Sequence, residues 1–136
     1  MRYSFLTLIF LISLPLHSYA IDKEARNATI NLINDYTSCY AFWAITKVGA
    51  PNPTPELSKK IEVNQKHMLA MAAGLQKQIG GKEESILSSI ENMIELQKSS
   101  IDGDFANYSI LSNKYLNFCL SLRNNPEARL EYWMNK

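Results

Sequence analysis

Histidine is nearly missing from this chain. Of the two present in 136 residues, His17 lies in an apolar leader and only His67 remains beyond it. A single imidazole removes several chemistries at once. There is no Glu-x-x-His pair for a di-iron bundle, no Cys-x-x-Cys-His haem attachment, and no base for a Ser-His-Asp or Cys-His arrangement unless His67 is it. Glycine is sparse as well, at five residues, and adjacent only at Gly80-Gly81, so a phosphate-cradling loop is excluded. Basic blocks are absent. Once Arg2 leaves with the leader, thirteen Lys and Arg side chains stand against thirteen Asp and Glu, and a neutral chain without clustered cations is a poor ligand for nucleic acid. Strand signals are missing too: there is no period-two alternation, no hairpin dipeptide between β-branched runs and no internal repeat. The chain therefore reads as non-enzymatic, with no catalytic residue, cofactor or metal expected.

What is present begins with an address. Met1-Arg2 supplies a positive start, Phe5 to Leu14 is almost unbroken apolar sequence, and Ser18-Tyr19-Ala20 offers the small-x-small pattern of a cleavage site. The run is short of the ~20 residues that span a bilayer. Residues 1–20 are read as a signal peptide and 21–136 as a single helical domain, periplasmic or secreted, with no membrane span after cleavage. In an oxidising compartment two cysteines form a bridge. Cys39 and Cys119 lie 80 positions apart, and a bridge between them stabilises by about 4.5 kcal/mol in the chain-entropy picture. A redox pair would sit closer, as Cys-x-x-Cys at a helix start.

Helical periodicity runs through the remainder. Asp22 to Val48 carries Ala25, Thr29, Leu32, Tyr36, Cys39 and Trp43 on one face. Phe42 and Ile45 fall roughly 120° and 180° from Tyr36, so this helix is either central or offers a partner surface. Gly49 and the prolines at 51, 53 and 55 end it. Thr54 caps a second helix with Leu57, Ile61, Asn64, Met68, Met71, Leu75 and Ile79 inward, stopped by Gly80-Gly81. A third begins near Lys82 or Glu83, with Ile86, Ile90, Met93, Ile94 and Leu96 inward and Glu84, Glu91 and Glu95 outward. After an Asp102-Gly103 turn, a fourth runs from about Asp104 to Leu122, with Phe105, Tyr108, Leu111, Tyr115, Phe118, Cys119 and Leu122 inward. Asn125-Pro126 opens a short last helix ending in Tyr132-Trp133. The fold expected is all-α: a four-helix up-and-down bundle with a short C-terminal helix and one inter-helix disulfide.

Few residues invite chemistry. His67-Met68-x-x-Met71 has the donors of a thioether–imidazole site for copper or haem. The plainer reading places both methionines in the core stripe with His67 beside it. The acidic line Glu84, Glu91, Glu95 reads as a solvated face, since glycoside hydrolysis needs carboxylates opposed across a cleft. Phe42, Arg129, Tyr132 and Trp133 are the partner-binding candidates. Either the last helix folds back over the first and covers Phe42, or these aromatics form an exposed patch of the kind that marks interfaces.

The cysteine-bearing first helix, Asp35-Tyr36-x-x-Cys39, and the late Tyr115-x-x-x-Cys119 resemble small exported helical proteins of Gram-negative bacteria. To a lesser degree they are similar to the periplasmic immunity proteins that neutralise type VI amidase effectors. That resemblance implies an all-helical chain with one early and one late cysteine, binding another periplasmic or secreted protein. The function expected is therefore a non-catalytic periplasmic inhibitor or immunity-like protein. The alternatives are a small-ligand or haem-binding bundle and a periplasmic stress chaperone.

Overall fold

Asp22 opens the first helix by accepting a hydrogen bond from the Glu24 amide at 3.4 Å, and the helix then runs unbroken as α1, Lys23–Gly49. The computed structural model describes residues 22–136, so the signal-peptide reading lies outside the described residues. Four helices follow: α2 (Pro55–Gln78), α3 (Glu84–Ser100), α4 (Tyr108–Asn124) and α5 (Pro126–Met134). A single 3-10 turn, Phe105–Asn107, precedes α4, and no strand occurs among the described residues. None of the described helices is long and apolar enough to cross a membrane.

The boundaries follow from local chemistry. Thr54 Oγ1 accepts from the Leu57 amide at 3.2 Å, with Pro55 at the first helical position where its missing N–H costs nothing. Gly80 takes φ of 71°, a left-handed value that a side chain disfavours, and so ends α2. Asn125 Oδ1 accepts from the Ala128 amide at 3.3 Å and starts α5, again with proline behind it.

The apolar residues distributed round α1 have their cause in its position. Leu32, Ile33, Tyr36, Cys39, Ala41, Phe42, Trp43 and Ile45 are all buried, and α2, α3, α4 and α5 each pack on α1 far more than on most of one another. The first helix is thus the core of the molecule. Arg26 Nη1 donates to the Ile79 carbonyl at 2.9 Å, tying the start of α1 to the end of α2. Thr37 Oγ1 meets Ser89 Oγ at 3.3 Å on α3, and Thr46 Oγ1 meets the Tyr108 hydroxyl at 2.7 Å on α4. The disulfide Cys39–Cys119 joins α1 to α4, with both residues wholly buried.

Three inward expectations change. Leu96 is 63% exposed and Gln97 takes its place at 2%. The stripe Ile86, Ile90, Met93, Gln97 keeps a 4,3,4 spacing, so Leu96 is turned about 100° away from it. Gln97 belongs inside because its Nε2 donates to the Ser38 carbonyl at 2.8 Å. Leu57 is exposed because the packed zone of α2 begins one turn later, at Ile61. Phe105 lies in the 3-10 turn rather than in α4, 39% exposed, with its ring laid against Gly49 where a Cβ would collide.

Candidate functional site

The densest cluster of specific contacts lies where α5 crosses α1. Arg129 and Trp133 are one turn apart on α5, which points both side chains the same way. Both end on Asp35 of α1. Arg129 Nε and Nη2 donate to its two carboxylate oxygens at 2.7 and 3.2 Å, and Trp133 Nε1 donates to Oδ2 at 2.6 Å. The Asp35 side chain is only 13% exposed. A bidentate guanidinium–carboxylate pair of this kind fixes orientation as well as charge. Hydrogen bonding to Asp35 raises the Arg129 pKa above its already high value.

Aromatic rings surround the guanidinium. Its carbon lies 5.1 Å from the Phe118 ring centroid, 4.7 Å from Trp133 and 4.4 Å from Tyr132. Phe118 comes from α4 beside Cys119, and Asp35 sits one turn before Cys39, so the disulfide ties both walls together. Next to Asp35 in the chain, Tyr36 is fully buried with no hydrogen-bond partner for its hydroxyl among the described residues. Burial raises its pKa, and the charges of Glu127 and Asp35 push the same way. A cleft of about 220 Å³, lined by Phe118, Ser121, Leu122, Arg129 and Tyr132, flanks α5 on the α4 side. A second, of about 480 Å³, opens beyond Trp133 towards Asn27 and Asn31. The outer surface of α5 shows Tyr132 and Met134, each 43% exposed.

Three of the four partner-binding candidates, Arg129, Tyr132 and Trp133, are brought together here. The fourth, Phe42, is not: it is fully buried and leaves that set. The last helix does fold back over the first, but α4 is what covers Phe42. Its ring stacks with Tyr108 at 6.3 Å and Tyr115 at 6.0 Å, and packs on Trp43 at 5.0 Å. Asp35 was missed as a site residue, although it is the only acidic residue between Glu24 and Glu56. A lone carboxylate on a helix buried nearly all round must be paired, and that signal was available.

The remaining candidates are scattered. Met68 is buried in the core, Met71 is half-buried, and His67 is half-buried near Arg123, whose Nη1 donates to Asn64 Oδ1 at 2.6 Å. No cluster of three or more His, Cys, Asp or Glu side chains suited to a metal occurs among the described residues. Glu84, Glu91 and Glu95 are all exposed.

His67 makes a pH prediction. Burial first, and the Arg123 charge second, lower its pKa below 6.5. The unfolded chain therefore takes up this proton first as pH falls. Stability is expected to drop as pH decreases from about 6.5 down to the lowered folded pKa, and then to level off. Thermal unfolding followed across that range, beside His67→Gln, is the check. The substitution should flatten the step, and parallel profiles would refute it.

Comparison with protein-family models, with curated proteins and with solved structures found no match.

Proposed function

We propose that this is a non-catalytic, exported protein-binding domain, inhibitor- or immunity-like, which presents α5 to another exported protein. The observation that carries the reading is the geometry of α5 in its seat. In the seated helix Arg129 and Trp133 both meet Asp35, which leaves Tyr132 and Met134 half-exposed between two clefts. A half-exposed tyrosine and methionine beside concave surface have the composition of a protein-binding contact, tyrosine being a hot-spot residue type.

Cleavage after Ala20 and export to the periplasm belong to the same proposal, supported by the buried disulfide and the leader sequence. So does an up-and-down order for the four long helices. It is supported by Arg26 meeting Ile79, by Thr37 and Ser38 meeting Ser89 and Met93, and by Thr46 meeting Tyr108.

The test uses the mature chain as bait in periplasmic extract, beside Tyr132→Ala/Met134→Ala. Its intact mass should correspond to a start at Ile21. The expected capture is a secreted hydrolase whose activity is inhibited by the wild-type chain, with affinity at least ~30-fold weaker for the double variant. Equal capture by both baits, or a captured protein whose activity is untouched, overturns the reading.

A further inference from the structure

The seat under α5 is built without α5. Asp35 and Phe118 belong to α1 and α4, and each lies within one helical turn of a cysteine of the Cys39–Cys119 bridge. Their relative placement is thus covalently held when α5 is absent. By contrast, α5 contributes no fully buried residue to the molecule. Leu130 and Trp133 only rest against the core, and the polar attachment converges on the single carboxylate of Asp35. One non-helical residue, Asn125, at φ −145° and ψ 70°, joins α5 to α4. Pro126 disfavours helical backbone at Asn125, so the two helices stay separate units about a hinge. Short terminal elements that bury no residue fully and are held by a single polar anchor are among those that open below global unfolding.

We propose that the Asp35–Phe118 seat is an exchangeable guanidinium-binding site, and that the occupant it takes in trans is the α5 of a second copy of this chain. The complementarity required is already displayed within one chain: the same Arg129 and Trp133 would meet the same Asp35. Exchange of an identical element makes no new contact and carries only the cost of association, so it is a low-cost route to a dimer. The tethered α5 competes at the high effective concentration its short hinge confers, so the exchanged dimer forms at high protein concentration. This inference goes beyond the reading of the outer face of α5 and does not require an external partner there.

Complementation tests it. Asp35→Asn keeps a competent α5 but loses the seat, whereas Arg129→Ala keeps the seat but loses the latch. Light scattering and native mass spectrometry should show a wild-type dimer that grows with concentration. They should also show a heterodimer in an equimolar mixture of the two variants that neither forms alone. A wild-type chain monomeric at millimolar concentration, together with a mixture that gives no heterodimer, overturns the proposal. If Asp35→Asn does not fold, a fluorescent peptide of residues 125–136 replaces it. Saturable binding to the Arg129→Ala chain, much weaker to wild type, supports exchange, and absence of binding to the variant refutes it.

Discussion

Replacing both Cys39 and Cys119 by alanine is expected to lower the unfolding free energy by about 2–5 kcal/mol. The bridge closes a loop across 80 sequence positions, so its loss releases a large part of the unfolded chain from constraint. In a domain whose whole stability is of order 5–15 kcal/mol, that is a major fraction. The midpoint of thermal unfolding should fall by on the order of 10 °C or more. Both cysteines are fully buried, so alanine is the cleaner replacement; serine would add hydroxyl groups that need partners. Urea unfolding of the oxidised wild type against the double variant measures the effect. A variant as stable as wild type would show that helix packing alone sets the fold. Selective loosening of α4 and α5 in hydrogen exchange is expected alongside, because the bridge is their covalent tie to α1.

Phe42→Ala should be comparably damaging, at about 3–5 kcal/mol. The ring is wholly enclosed, and the aromatic groups of Trp43, Tyr108 and Tyr115 surround it. Truncation removes the transfer free energy of the ring and leaves a cavity among side chains too stiff to fill it. The lost aromatic pairs deepen the effect. Phe42→Leu should cost much less, since it restores most of the volume. Loss of partner capture by Phe42→Ala should track loss of fold. Unchanged stability with lost capture would instead place Phe42 at an interface, against its burial.

Much of the fold was legible because its signals are local. The Thr54-Pro55 and Asn125-Pro126 starts, the Gly80-Gly81 stop and the Asp102-Gly103 turn act through a few neighbouring backbone groups. At Asp102 and Gly103 the backbone takes φ of 54° and 68°, as that dipeptide favours. Leu96, expected inward for its apolar side chain, is turned out because the phase set by Ile86, Ile90 and Met93 brings Gln97 in instead. Asn64 was placed correctly by following phase, and it is satisfied by Arg123.

The candidate site was only half legible. Arg129, Tyr132 and Trp133 stood out by residue type, whereas their anchor is 94 positions from Arg129 and 98 from Trp133. By itself, the sequence determined the helical class, the approximate ends of the helices and the cysteine pairing, and it left α1 either central or partner-facing. Each of these depends on periodicity, on short-range capping, or on having only two cysteines to join. Only the tertiary structure decided what covers each side of α1: α4 over Phe42, α5 over Asp35, and Gln97 of α3 against Ser38. A helical period reports which face of a helix is turned inward. It carries no information on which neighbour meets that face, because that depends on packing angles and volumes set by all five helices together.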